Sequence, residues 1–167
     1  AWTTTPWTLP GNVALAIGEK NEYIFLRGAN ELLIVSRDYY IKILDNKELV
    51  EQIGQRKLEA SDLIGLEYEP LYPFLKDELE KNGEDVSKAF KVYSADFVTT
   101  TDGTGIVHTA VMYGGDDFVL GTKIGLPKKH TVKDDGTFYS WCGFLSNRFV
   151  KDEDVAVDII KDLAGRG

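Results

Sequence analysis

The sequence predicts an α+β fold in which a barrel-like mixed sheet carries helices at its periphery. Short runs rich in β-branched and aromatic residues dominate the chain, amphipathic helices are interspersed among them, and there is no regular βαβ alternation. A chain of 167 residues that is 43% hydrophobic and 28% charged is long enough for one sizeable core. We therefore expect residues 1–167 to form a single domain.

The first third of the chain predicts three strands followed by a helix. Apolar residues recur at three- and four-residue spacings from Asp38 to Ile53, the period of an amphipathic helix that Gly54 ends. Three short apolar runs precede this helix and are interpreted as strands: residues 13–17, 23–26 and 32–35.

The middle of the chain predicts three more strands and a polar insertion. Residues 64–70 read as a strand that Pro70 stops, and residues 76–85 are polar enough to form a surface insertion. Residues 90–98 and 105–109 are β-rich and are separated by a turn signal, so we expect them to pair as a hairpin or a close relative of one.

Two helices are predicted towards the end of the chain. Asp116 and Asp117 start a short helix, where the helix dipole favours negative charge, and Gly125 stands at its end. Residues 151–164 form the last helix. Four apolar residues are expected to share one face of it: Val155, Ile159, Ile160 and Leu163.

The composition limits the classes of function. A net charge of −8 argues against a protein that holds RNA by bulk electrostatics, so an RNA partner must be held elsewhere or by a local patch. Cys142 is the only cysteine, which excludes an intrachain disulfide and fits a reducing cytoplasm. No apolar run approaches the roughly 20 residues that span a bilayer, so we expect no membrane partner. The chain opens in apparent register with a strand, and we expect it to be part of a longer protein.

The first segment that could carry chemistry lies at residues 2–12, where threonine hydroxyls, two indoles and an amide are concentrated. An exposed strand would explain the threonines, because threonine is β-branched. The alternative is a small-molecule pocket in which hydroxyls and backbone donors orient a polar ligand.

The second segment contains His108 and, a few residues later, the pair Asp116 and Asp117, which could converge on one site. Glycines in this segment allow the backbone to come close to a ligand. A hydrogen-bonded strand histidine and a helix cap are the structural alternatives. We expect no metal and no other cofactor, because no further His or Cys stands at ligand spacing. Cys142 lies among apolar residues and is expected to be buried and structural. The basic run at residues 128–133 is either a solvated loop or a phosphate contact.

Two motifs together resemble the inserted editing domain, also called connective peptide 1, of isoleucyl-tRNA synthetases: WTTTPWTLPGN, and GTGIVHTA followed by GDD. Related valyl and leucyl domains typically carry an arginine soon after the threonine pair, whereas here Pro6 and Trp7 follow. The HIGH and KMSKS motifs of the synthetic site are absent. The resemblance implies a domain that hydrolyses valine from the acceptor end of tRNA(Ile), or from valyl-adenylate, within the remainder of a synthetase.

The resemblance also implies roles for particular residues. Asp117 would accept the α-ammonium group of valine, and His108 would exclude the larger side chain. The catalytic set is then Asp117, His108 and Thr5, with hydrolysis resting on a positioned water. The substrate-binding residues implied are Thr3, Thr4, Thr5, Trp7, Thr8, Asn12, His108 and Asp117.

This chain departs from the family pattern at two positions near Asp117. Val111 stands where the family usually has proline, and Gly115 stands where an acidic residue is common. Both lie in the loop that carries Asp117 and could loosen it. Three rival hypotheses remain: a non-catalytic module that docks the tRNA acceptor end, an inert insertion, and the editing domain of a valyl- or leucyl-type synthetase.

Overall fold

A computed structural model describes residues 1–27, 32–44, 56–100 and 103–166. The strands are β1 (Ala14–Ile17), β2 (Glu22–Arg27), β3 (Leu32–Ser36), β4 (Arg56–Glu59), β5 (Lys91–Ser94) and β6 (Ile106–Thr109). The α-helices are α1 (Arg37–Leu44), α2 (Ala60–Leu63), α3 (Phe74–Lys81), α4 (Gly115–Ile124) and α5 (Glu153–Arg166). Two 3₁₀ helices complete the described elements, η1 (Pro6–Gly11) and η2 (Gly143–Leu145). None of these helices is long and apolar enough to cross a membrane.

The chain divides into two compact units. Unit 1 comprises residues 1–3, 14–68 and 91–108, and unit 2 comprises residues 4–13, 69–90 and 109–167. The prediction of a single domain over residues 1–167 stays a prediction.

Unit 1 is built from two three-stranded sheets, with only Thr109 at the end of β6 assigned to unit 2. One sheet has the order β5-β1-β6, and its β1 and β5 are parallel. The other has the order β3-β2-β4, with β2 antiparallel to both neighbours. Because β2 is the central strand, its backbone hydrogen-bonding groups are paired on both sides.

Strand β2 is apolar along its whole middle because both of its faces pack against other residues. Successive side chains of a strand point to opposite faces. Tyr23 and Phe25 join a core with Ile17 and Leu58, whereas Ile24 packs into a second cluster. The hydroxyl of Tyr23 is buried, donates to the carbonyl of Gly105 at 2.8 Å and accepts from the amide of Gly18 at 3.1 Å.

Unit 2 has a core formed by helix α5, η1 and the irregular segment after α4. Val155 and Ile159 of α5 are fully buried, and Leu163 packs against the same cluster. Ile160 was expected on this face but is exposed, because a residue one position after Ile159 lies about 100° further round the helix. Leu9 brings η1 into the core, together with Tyr72, Phe138, Cys142, Leu145 and Val150.

Several predictions about local structure are confirmed. Strands β1, β2 and β3 lie where the apolar runs placed them, and α5 lies close to the predicted last helix. Helix α4 ends at Gly125, whose φ of 82° is the left-handed conformation that glycine adopts without strain. Helix α1 covers the start of the helix predicted from Asp38 to Ile53, and the remainder of that prediction, including the end at Gly54, lies outside the described residues.

The predicted barrel and hairpin are not found in the part of the chain that the structure describes. The two sheets are open and three-stranded, and no closed barrel is formed among them. The expected β5–β6 hairpin is wrong, because β1 lies between those two strands. A turn signal between two strands predicts a hairpin only when no third strand pairs between them, and that pairing depends on distant residues.

Three other predictions are corrected. Residues 64–70 form no continuous strand, although Glu67 makes an isolated bridge to Lys91 and the backbone of Gly65 and Leu66 bonds to Val92, so the predicted strand is wrong. Part of the expected polar insertion at residues 76–85 is helix α3, which buries Leu75 and Leu79 on one face. The threonine-rich start is not a strand over Pro6–Gly11, because that segment forms η1.

Gly103 and Gly105 provide a matched test of the turn before β6, since both have φ of +73°. Alanine at either position pays the left-handed penalty of about 1–2 kcal/mol. A Cβ at Gly105 would also lie 2.5 Å from the Cβ of the fully buried Ser36, whereas a Cβ at Gly103 would approach Trp2 to an ordinary contact distance of 3.7 Å. Gly105→Ala is therefore expected to lower the free energy of unfolding by about 1–3 kcal/mol more than Gly103→Ala does. Urea denaturation measures both, and equal losses would contradict the packing described here.

Candidate active site

The threonine-rich segment of unit 2 is organised by η1. Pro6 occupies the first turn, where its missing N–H needs no partner. The buried Thr8 donates its hydroxyl to the carbonyl of Thr5 at 2.8 Å, and its amide donates to the same carbonyl at 3.0 Å. Thr4 and Thr5 are exposed. Thr8 therefore helps to hold the turn, while Thr4 and Thr5 present their side chains to solvent.

One peptide group connects this segment to the acidic start of α4. The carbonyl of Thr109 accepts from the amide of Val13 at 3.0 Å and from the side-chain Nδ2 of Asn12 at 3.5 Å. The amide of Ala110, at the other end of the same peptide group, donates to Oδ2 of Asp117 at 3.0 Å. Two of the predicted residues, Asn12 and Asp117, are thus brought together through a peptide bond that the sequence analysis did not single out.

Asp117 lies at the third position of α4, half-buried, whereas Asp116 before it is exposed. Burial raises the pKa of the Asp117 carboxyl, the Ala110 amide opposes that rise, and the charge of Asp116 adds to it. Across the part of the chain that the structure describes, Ala110 is the one hydrogen-bond donor to this carboxylate, and it binds Oδ2. The second oxygen, Oδ1, can therefore accept from a ligand.

Trp7 is held by an aromatic residue that the sequence analysis missed. Its ring meets that of Tyr113 edge to face, with 5.2 Å between centroids. The Tyr113 hydroxyl accepts from the amides of Thr131 and Val132 at 2.7 and 3.0 Å. A Cβ on Gly11 would lie 3.0 Å from the Tyr113 ring, so that glycine permits the close approach. An aromatic residue three positions after the HTA motif was the only available signal.

Two other candidates in unit 2, Cys142 and the basic run at residues 128–133, make contacts that suit a structural role. Cys142 is fully buried, as expected, and burial raises the pKa of its thiol to about 12, which disfavours the thiolate at neutral pH. In the basic run, Lys129 pairs with Glu84 at 2.8 Å and Lys128 lies 4.1 Å from the centroid of Phe118. Within residues 1–27, 32–44, 56–100 and 103–166, no group of three or more His, Cys, Asp or Glu side chains is arranged to hold a metal ion.

Thr3 and His108 belong to unit 1. Thr3 is half-buried, and His108 lies on β6 with only 9% of its surface exposed. Burial lowers the pKa of His108 to about 4. The imidazole is consequently neutral at neutral pH, which suits a wall that limits the size of a side chain better than it suits a proton donor.

Comparisons with known proteins identify the relatives of the chain. No protein-family model matches it. The chain is 37% identical over 169 residues to isoleucine–tRNA ligase of Bdellovibrio bacteriovorus, an alignment that covers 100% of the chain and 15% of the relative. It is 42% identical over 139 residues to isoleucine–tRNA ligase of Clostridium tetani, covering 83% of the chain and 12% of that relative.

The chain is homologous to a segment of the isoleucyl-tRNA synthetases. It spans about 15% of the length of the ligases that it matches across its whole extent. Among solved structures it resembles GlLeuRS-CP1, the CP1 domain of a leucyl-tRNA synthetase, with a TM-score of 0.65 and 15% identity over 98% of the chain and 79% of that chain. At this identity the likeness establishes the fold alone.

The two departures from the synthetase pattern lie in different surroundings. Val111 is buried, and a Cβ on Gly121 would lie 2.5 Å from one of its methyl groups, so the valine packs directly against the backbone of α4. Gly115 is exposed, and no atom of the residues that the structure describes lies within 4 Å of the position that its Cβ would take. Val111 therefore supports the helix that carries Asp117, and Gly115 leaves open space beside it.

The lowered pKa of His108 predicts a specific pH dependence of stability. The native state binds fewer protons than the unfolded state between the ordinary pKa of 6.5 and the native value of about 4. Stability contributed by the neutral imidazole is complete above pH 6.5 and is lost as the pH falls towards 4, by up to about 3 kcal/mol. His108→Gln should remove this part of the acid destabilisation in urea titrations from pH 7 to 4, and His130→Gln should retain it. Coincident profiles for wild type and His108→Gln would contradict the assignment.

Proposed function

We propose that this chain is the editing domain of an isoleucyl-tRNA synthetase and hydrolyses valine from tRNA(Ile), from valyl-adenylate, or from both. The observation that carries the proposal is the half-buried carboxylate of Asp117, whose Oδ2 is held by the Ala110 amide. An amino acid esterified to tRNA keeps its α-ammonium group, and a positioned carboxylate is the natural acceptor for that group. The whole-length match to isoleucyl-tRNA synthetases supports the same assignment.

The need for such an activity follows from the size of the substrate difference. Isoleucine exceeds valine by one methylene, which an apolar pocket can discriminate by only about 1–3 kcal/mol, and isoleucyl-tRNA synthetase is itself the standard example of this limit. A second pocket that admits valine and excludes isoleucine reverses the selection. We assign that exclusion to His108, whose neutral, buried imidazole offers a rigid surface.

In this proposal hydrolysis depends on positioning and electrostatics. The Asp117 carboxylate accepts hydrogen bonds from the ammonium group of valine and thereby fixes the position of the adjacent ester carbonyl. Water attacks that carbonyl, the ribose oxygen leaves with a proton, and valine and tRNA are released. Thr5, with Thr3 and Thr4, provides hydroxyls that orient the ester or the water, and Thr8 and Asn12 hold the backbone on which the site is built. An ester is already activated, so orientation supplies much of the rate.

The acidic composition limits what the chain can contribute to RNA binding. A net charge of −8 provides little counterion release, so most of the affinity for tRNA is assigned to the remainder of the synthetase. The chain then needs to hold only the aminoacylated end or the adenylate, in the cytoplasm where the synthetase works.

Two alternatives make different predictions. A non-catalytic docking module would bind the acceptor end without turnover. The editing domain of a leucyl-type synthetase would share the fold seen in GlLeuRS-CP1, but the 37–42% identity to isoleucine–tRNA ligases favours the isoleucyl type. Hydrolysis of valyl-tRNA(Ile), with isoleucyl-tRNA(Ile) spared, separates the proposal from both.

Asp117→Ala should abolish hydrolysis of valyl-tRNA(Ile) while the domain stays folded. Removing one partner of a largely desolvated charge pair costs on the order of 2–5 kcal/mol, which corresponds to roughly 30-fold to several thousand-fold in kcat/KM. Deacylation rates and far-ultraviolet circular dichroism measure the two properties on the same samples.

The exposed neighbour Asp116 is the matched control, because it shares the helix start but is not proposed to bind the ammonium group. Asp116→Ala should retain hydrolysis to within a few-fold. Equal losses in the two folded variants would show that general negative charge matters, and unfolding of Asp117→Ala would make Asp117 chiefly a structural cap.

A further inference from the structure

The side chain of Asp117 takes an uncommon direction for its position in α4. In a capping box, the side chain at the third helical position binds the backbone amide of the N-cap residue. The N-cap of α4 is Gly114, yet the Asp117 carboxylate bypasses its amide and reaches the amide of Ala110, four residues further back. To reach the Ala110 amide, the carboxylate must pass over the N-cap residue Gly114.

Gly114 leaves the space that this direction requires. A Cβ at this position would lie 3.0 Å from both Cγ and Oδ2 of Asp117 and 3.4 Å from its Cβ. The backbone of Gly114 has φ −135° and ψ 140°, an extended conformation that any residue adopts. Space against the carboxylate, and not backbone freedom, is therefore what a glycine provides here.

A second glycine on the same face of α4 packs closely against the segment that precedes the helix. Gly114, Asp117 and Gly121 are spaced at i, i+3 and i+7, which places them on one side of a helix. Gly121 packs against Val111, the residue that follows Ala110. Helix α4 thus contacts residues 110–111 at two points on this face, because the Asp117 carboxylate accepts from Ala110 and Gly121 packs against Val111. Asp117 lies between the two glycines in sequence.

We infer that Gly114 is a positioning residue for the proposed ammonium-binding carboxylate: it lets Asp117 lie across the helix start and accept from Ala110. The consequence for hydrolysis rests on the proposed function, whereas the steric coupling to Asp117 does not. A methyl group at position 114 displaces the carboxylate from the Ala110 amide, and a small misplacement of a binding group lowers the rate of a positioned reaction by roughly 10- to 100-fold.

The neighbouring Gly115 is a matched control, because its Cβ would enter open space. Gly114→Ala should lower kcat/KM for valyl-tRNA(Ile) by roughly 10- to 100-fold, and Gly115→Ala should leave it within about twofold of wild type. With tRNA carrying isovalerate, which lacks the ammonium group, Gly114→Ala should cause no comparable loss. Equal losses with both esters, or equal activity of the two alanine variants, would overturn the inference.

A double-mutant cycle measured by urea denaturation tests the steric coupling between Gly114 and Asp117 and requires no measurement of activity. Gly114→Ala should lower the unfolding midpoint of the wild type more than that of Asp117→Ala, in which only a Cβ remains, at an ordinary contact distance of 3.4 Å. The poorer capping by alanine is common to both backgrounds and cancels in the comparison. Equal shifts would overturn the inference.

Two further outcomes are decided by the same variants. If Gly114→Ala does not fold, recovery of folding in Gly114→Ala/Asp117→Ala supports the coupling, and failure of both contradicts it. If wild type hydrolyses neither ester, the proposed function fails while the denaturation cycle still decides the role of Gly114.

Discussion

The peptide group that joins Thr109 to Ala110 ties the threonine-rich segment of unit 2 to the acidic start of α4. Its carbonyl accepts from Asn12 and Val13, and its amide donates to Asp117. A peptide group is rigid and planar, so bonds at its two ends constrain each other. The position of the carboxylate therefore depends on η1, and the position of η1 depends in turn on the segment that follows β6.

Holding the Asp117 carboxylate in this position lowers the stability of the native state when the group is ionised. Burial raises the pKa of Asp117, so the native state favours the protonated form more than the unfolded state does. As the pH rises through the raised pKa, the ionised side chain reduces native stability, although the dipole of α4 partly compensates at the helix start. A half-buried carboxylate with a perturbed pKa, positioned by a backbone amide, is a candidate for a functional group. The glycines at positions 114 and 121 are part of the same arrangement, because the backbone must come close for one amide to hold the carboxylate.

Local patterns in the sequence were sufficient for some elements and not for others. The apolar runs predicted β1, β2 and β3, and Gly125 marked the end of α4, because those signals depend on neighbouring residues. Placement of β1 between β5 and β6 depends on long-range pairing, and the turn signal gave no indication of it. An exposed strand was one of two explanations of the proline-flanked threonines, whereas hydrogen bonds from Thr8 to the carbonyl of Thr5 close a 3₁₀ turn over Pro6–Gly11. The residues themselves made Asp117 a candidate, the roles of Asp117 and Asn12 came from the resemblance, and the peptide group between them could emerge only from the structure.

The central claim is that Asp117, held by the Ala110 amide, recognises the α-ammonium group of valine. The most direct measurement compares the binding of two non-hydrolysable adenosine conjugates, one carrying an amide-linked valyl group and the other the isovaleryl group that lacks the amine. Calorimetric titration should show wild type preferring the valyl conjugate by roughly 30-fold or more, the magnitude expected for a desolvated charge pair. Asp117→Asn, which keeps the acceptor for Ala110 but loses the charge, should bind both conjugates with similar affinity. A preference for the valyl conjugate that survives in Asp117→Asn would contradict the claim.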